Sequence, residues 1–163
     1  MDEDLSKDAV KAAEHELLLE FPHFNEATAW DLGTRIRAAA DAAGQAVTID
    51  SRLGGACVFM SAMPGTTPSN ADWARRKRNL VNLLQVSSYR IQLDVEAGRN
   101  WPQFMALDPR DHVAAGGCFP IRAAGTGVVG TITVSGLPSR DDHWLVVSTV
   151  ADMLGVDLGD SSF

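Results

Sequence analysis

At 163 residues, 45% of them hydrophobic, the chain is long enough to bury one substantial core and shows no sign of a second. A formal charge of -7 and a pI near 4.9 exclude a dedicated nucleic-acid or anionic-membrane binder, because both partners demand a dense basic face. No apolar run approaches the ~20 residues that span a bilayer, and the acidic start Met1 to Asp4 is unlike the basic leader of a secreted protein, so the expected location is the cytoplasm.

Val10, Ala13, Leu17, Leu18 and Phe21 recur at helical spacing, which predicts a first helix from about Asp4 to Glu20, stopped by Pro22. The residues up to position 4 are expected to be flexible. Asn25 caps a second helix whose Ala29, Leu32, Gly33, Ile36, Ala40 and Ala43 form one face, with Gly44 at its end. The period then changes to two. Val47 and Ile49 alternate with Thr48 and Asp50, and Gly54-Gly55 turns the chain into Ala56 to Ser61, a first hairpin. Ser69 with Asp72 opens a third helix with Trp73, Leu80 and Leu84 as its buried seam, continuing past a break near Ser87 to Glu96. Pro102 and Pro109 make 101–113 a compact connection with helical turns.

The densest signal is Gly116 to Pro138. Phe119 and Ile121 alternate with Cys118, Pro120 and Arg122, and Val128, Ile132 and Val134 alternate with Val129, Thr131 and Thr133. Ala123 to Gly127 fits the loop of a second hairpin, and Pro120, which cannot donate to a ladder, places its strand at an edge or a bulge. Ser139 with Asp142 opens a last helix to about Leu154, and 155–163 is expected to fray. Hairpins separated by long helices describe one α+β domain over 1–163 with an antiparallel sheet. Cys57 and Cys118 both fall in strand candidates, so reduced, buried thiols are expected rather than a zinc site or a disulfide.

The basic run Arg75, Arg76, Lys77 and Arg78 cannot form one patch, since at about 100° per residue it fans around the helix. Taking Trp73 as the seam, Lys77 lies closest to it and, with Arg76, is the informative member, either snorkelling past the seam or meeting a carboxylate in a pocket or subunit contact. Among the four histidines, His143 sits on the seam of Val147, Val150 and Leu154 one turn inside the last helix, where the dipole keeps imidazole neutral and able to bind iron. His112 and His23 are the other candidate metal ligands. Asp141 and Asp142 read as ordinary partners of the helix dipole.

PGTTPSNADWARRKRN (Pro64 to Asn79), GGCFPIR (Gly116 to Arg122), GTGVVGTITVSGLPSRDDHWLV (Gly125 to Val146) and FPHFNEATAWDLG (Phe21 to Gly33) together resemble the haem-degrading-domain family, and more narrowly its cytoplasmic branch of mostly uncharacterised proteins. The resemblance spans Leu17 to Leu154. It implies a profilin-like α-β-α sandwich with a central antiparallel sheet of about five strands, and a ring-like homo-oligomer. Some relatives bind haem. Relatives often carry histidine immediately before the glycine pair, where this chain has Ala115.

The expected ligand site therefore gathers Lys77, Gly116, Gly117, Ser135, Gly136 and His143, with Phe119 as an apolar wall, around haem or another small planar or anionic molecule. An oligomeric scaffold without small-molecule chemistry is the alternative reading. An enzyme in which carboxylates or Lys77 converge on the motif loops is the third. The third helix and the 101–113 connection, carrying Trp73, Trp101 and Phe104, are the expected contacts between copies.

Overall fold

The computed structural model describes residues 3–163; the flexible N-terminus expected from the sequence lies partly outside these, at Met1 and Asp2. Its elements are α1 (Glu3–Leu18), β1 (Glu20–Phe21), α2 (Glu26–Ala42), β2 (Thr48–Leu53), β3 (Ala56–Ala62), α3 (Pro68–Leu84), α4 (Ser88–Glu96), α5 (Trp101–Phe104), β4 (Cys118–Ala123), β5 (Gly127–Ser135) and α6 (Ser139–Leu154), then a 3-10 turn at Gly159–Ser161. The five strands form one sheet in the order β1-β4-β5-β2-β3. Both hairpins are antiparallel, and β2 joins them by pairing antiparallel with β5. The sheet is mixed rather than purely antiparallel, because β1 pairs parallel to β4. That two-residue strand meets only Arg122 and Ala123. Pro120 therefore has no β1 neighbour, and a bulge follows it at Ile121/Arg122, as a residue without an N–H requires.

Alternation along the strands separates two unlike faces. Ile49, Phe119, Ile121, Ile132 and Val134 meet Leu32 and Ile36 of α2 and Val146, Val147 and Val150 of α6 in the main core. The opposite face carries Thr48, Asp50, Cys118, Thr131, Thr133 and Ser135 beneath α3, all of them buried. This is a three-layer α-β-α arrangement with one apolar and one polar interlayer. Asp50 holds the polar layer together by accepting from Arg52 and from Arg78 of α3.

Expectations for α1, α3 and the C-terminal tail are corrected. The buried stripe of α1 is Asp8, Ala12, His15 and Glu16, running on to Leu19, while Val10 and Leu17 point outward. Each polar member has a distant partner: Asp8 accepts from Tyr89 and Arg140, Glu16 from Arg90 and the Ser87 amide, and His15 meets His143. The seam of α3 is Ala74, Lys77, Leu80 and Val81, which leaves Trp73 partly exposed; the helix is capped by Thr67 with Asn70 rather than by Ser69 with Asp72. The tail expected to fray from Gly155 packs instead, with Leu158 buried and Phe163 edge-on to His15 and Tyr89.

The cysteines divide. Cys118 is buried, and desolvation pushes its thiol up to about 12, whereas Cys57 is exposed because it lies on the edge strand β3. A maleimide therefore modifies one thiol rapidly in the native protein and the second only on unfolding, since the thiolate is the reactive form. Two fast sites under native conditions would contradict the burial of Cys118. No helix among the described residues is long and apolar enough to cross a membrane.

Candidate functional site

Two motif segments and α3 meet at one end of the sheet. The last residues of β5 lead through Gly136 and Leu137 to Pro138, which occupies the N-cap position of α6. Proline has no N–H to cap, and Asp142, one turn into the helix, reaches back past it to accept from the Leu137 amide at 3.0 Å. Its other oxygen accepts from Lys77 at 2.8 Å, and Lys77 also donates to the Val134 carbonyl at 3.1 Å. Lys77 is only 3% exposed and Asp142 only 1%, so this is a buried ion pair joining α3 to α6 across the end of β5. Burial pushes the Asp142 carboxyl above its ordinary range, opposed by Lys77 and by the backbone amides of Leu137 and Gly136.

Glycine makes the pair possible. Gly117 has φ +125, and a Cβ there would fall 2.3 Å from the Val134 carbonyl oxygen and 2.8 Å from Lys77 Nζ. Gly116 passes so close to the first turn of α6 that a Cβ would lie 2.2 Å from the Ser139 carbonyl oxygen, and its amide is fixed by Gln92 at 2.9 Å. The GG pair is thus a backbone crossing that lets β4 start beneath the ion pair.

Above the pair a cleft of about 390 Å³ opens between α3 and the start of α6. Asn70, Trp73 and Lys77 line one side, Ser135 to Ser139 and Asp142 the other, with Ala115 at the rim. Of the site residues expected from sequence, Lys77, Ser135 and Gly136 line this cleft, and Gly116 and Gly117 form the backbone next to it. His143 and Phe119 lie elsewhere. Phe119 is a core residue of β4, and His143, 0% exposed, faces inward among Tyr89, Phe119 and Phe163. Asp142, which the sequence presents as one of two unremarkable helix-start aspartates, is the carboxylate that the cleft contains. Only the three-residue offset from Ser139 hinted at a cap, and nothing local pointed to Lys77, 65 positions away.

The histidines form a separate arrangement. His15 Nε2 lies 2.8 Å from the Ser161 carbonyl, which can only accept, so Nε2 carries the proton. His15 Nδ1 is then the acceptor for His143 Nε2–H at 3.1 Å, and His143 Nδ1 is left as a buried nitrogen without a partner. Burial lowers the proton affinity of both rings, most strongly at His143. Desolvation first, and then the charge that His15 can carry, favour neutral His143, an effect that the sequence alone assigns to the helix dipole. His112 turns Nδ1 to the Asp108 carbonyl at 3.2 Å, and His23 is exposed on the loop before α2. Among the described residues no group of three or more His, Cys, Asp or Glu side chains could hold a metal ion.

Residues 24–151 match the family model described as "Haem degrading protein HbpS-like". A "UPF0303 protein" of Azotobacter vinelandii is 47% identical over 152 residues, covering 93% of this chain and 92% of the relative. Among solved structures, Ybr137w superposes with a TM-score of 0.81 at 25% identity, covering 90% of this chain and 87% of that one. HbpS superposes with a TM-score of 0.65 at 21% identity over 82% of this chain and 91% of its own, which shows the shared fold.

Proposed function

This chain belongs to the HbpS-like family of haem-degrading proteins, and from that premise we propose that it is an oligomeric small-molecule-binding protein whose ligand occupies the α3–α6 cleft without an iron bond from this chain. The observation that carries the reading is the Lys77–Asp142 pair at the cleft floor. Burying two charges costs several kcal/mol per ion and rarely adds net stability, so an ion pair opening onto a cleft marks a site better than it explains a fold.

Haem, which the family description names, does not fit these residues as an axially ligated group. The usual protein ligands to haem iron are His, Cys, Met or Tyr, the cleft lining contains none of them, and the amine of Lys77 is engaged by Asp142 and the Val134 carbonyl. Ala115, which also lines the cleft, offers no ligand atom. His143 would have to leave the core to reach iron. Haemin titrated into the wild type and His143→Ala and followed at the Soret band gives no saturable histidine-type shift, whereas Ala115→His gains one. A saturable shift in the wild type that disappears in His143→Ala overturns the reading.

Assembly is supported by apolar surface that the single chain leaves uncovered. Val10 and Leu17 are one heptad apart on α1 and are 59% and 83% exposed, and Leu83, Trp101, Phe104 and Met105 are exposed around the end of α3 and α5. Native mass spectrometry of protein purified without added cofactor gives a multiple of the 17.5 kDa chain. A monomer at micromolar concentration overturns the oligomeric part and leaves the cleft reading untouched.

A further inference from the structure

Resting on the reading of the α3–α6 cleft as a small-molecule site, we infer that its ligand is a singly charged organic carboxylate with a flat or apolar body. The cleft presents donors and has few acceptors to spare. Lys77 Nζ carries three hydrogens and spends two, on Asp142 and the Val134 carbonyl, so one remains. Asn70 spends its oxygen on the Thr67 amide, which leaves its NH₂ group. Ser135 is 4% exposed, lies on the α3 side of β5, and its hydroxyl has no hydrogen-bond partner among the described residues. Its register neighbour Thr48 holds a second buried hydroxyl without a partner.

The 16-residue α6 starts at the same place, and helix geometry leaves the amides of Ser139 and Arg140 without intrahelical acceptors at the positive end of the dipole. The one carboxylate of the lining, Asp142, has both oxygens engaged by Lys77 and the Leu137 amide. Donors of this kind, with Lys77 and Ser135 buried and Asn70 half-buried, are satisfied best by anionic oxygens, whose hydrogen bonds are about twice as strong as neutral ones. The charge of the ligand follows from the balance around it. Asp142 offsets Lys77 and Asp141 stands in the same helical turn, so no surplus positive charge is present to hold a phosphate monoester carrying about -1.5 to -2, whereas a single carboxylate can be met by the remaining N–H and O–H donors and the helix dipole. Trp73 and Leu137 supply the apolar wall, the indole being held by the Arg76 guanidinium 4.3 Å from its ring centroid.

The test titrates benzoate, benzamide and phenyl phosphate into the full chain, read by tryptophan fluorescence with Trp73→Phe identifying the signal that comes from the cleft, and by thermal shift as a second readout. Benzoate is expected to saturate, binding at least about tenfold more tightly than benzamide or phenyl phosphate. Asn70→Asp keeps the oxygen that accepts from Thr67 and replaces the NH₂ by a repelling carboxylate, so it weakens benzoate by about tenfold or more while leaving benzamide unchanged. Ser135→Ala weakens benzoate with no loss of thermal stability. Benzamide binding as tightly as benzoate, with both lost in the Ser135 variant, overturns the carboxylate and leaves the cleft as the site. Phenyl phosphate binding most tightly overturns the single charge. No saturable binding by any of the three overturns this inference and counts against the cleft reading as well.

Discussion

Lys77→Met destabilises the protein at neutral pH by about 3–5 kcal/mol, the usual cost of leaving a buried charge without its partner. Asp142 would keep only the Leu137 amide and the nearby Gly136 amide, at a position 1% exposed. Lys77→Met combined with Asp142→Asn recovers most of the loss, because a neutral amide still accepts from Leu137 and no unpaired charge remains. The deficit also depends on pH in a defined direction. Burial already raises the folded-state proton affinity of Asp142 above that of the unfolded chain, and removing Lys77 raises it further. A carboxyl whose folded pKa is raised contributes its stability below the unfolded value of about 4 and loses it as pH rises through the folded value. The difference between wild type and Lys77→Met is therefore small near pH 4 and grows to its full size at neutral pH. Urea unfolding midpoints at several pH values measure it. A Lys77→Met protein as stable as wild type at pH 7.5 would remove the ion pair from its structural place.

The elements legible in the sequence are those whose signal is local. Asn25 with Thr28 caps α2, Gly54-Gly55 turns the first hairpin, and Gly125 and Gly127 bracket the second, so each announces itself within a few residues. The misread faces belong to helices whose partners are far along the chain. In α1 the apolar spacing of Val10 and Leu17 predicts an inward face, yet the buried stripe carries Asp8, His15 and Glu16, whose partners lie at least 71 residues away. The same reversal puts Lys77 inside and Trp73 at the cleft. Strand order is equally silent: Cys57 and Cys118 sit in similar alternating runs, and only the placement of β3 at the sheet edge exposes one of them. The motif glycines lead to the backbone beside the cleft because close backbone approach is a property glycine alone supplies. His143 turns into the core and Asp142 to the cleft although both lie in one helical turn, and neither local pattern nor dipole says which side chain faces which way.

The His15–His143 pair makes the fold acid-labile from the C-terminal side. Both rings are 0% exposed, and protonating either disrupts the chain of donors that runs from His143 through His15 to the Ser161 carbonyl. A proton on His15 Nδ1 would face the His143 Nε2 proton; a proton on His143 Nδ1 would sit in a position with no acceptor. The charged groups around them offset burial only in part: Glu14 and Asp8 favour a proton on His15, but Asp8 is taken by Tyr89 and Arg140, Glu14 is held by Ser161, and Lys11, bound to the Ser162 carbonyl, adds positive charge. Folded-state proton affinities are accordingly lowered at His15 and well lowered at His143. For a base with a depressed folded pKa, the stability is complete above the unfolded value of about 6.5 and is lost as pH falls from there toward the folded value. His143, whose proton affinity is lowered most, gives a slope approaching about 1.4 kcal/mol per pH unit below the unfolded value, and His15 adds to it only until its own folded value is passed. His143→Phe, a ring that can pack among Tyr89, Phe119 and Phe163, removes the more strongly shifted group and with it most of the slope. Denaturant melts of both proteins between pH 8 and pH 5 measure the two slopes, and Trp144, whose ring centroid lies 5.7 Å from that of Phe163, reports release of the tail as acid enters the pair. Equal slopes in wild type and His143→Phe would place the acid sensitivity outside the histidines and in the carboxylates that cap and pair the helices.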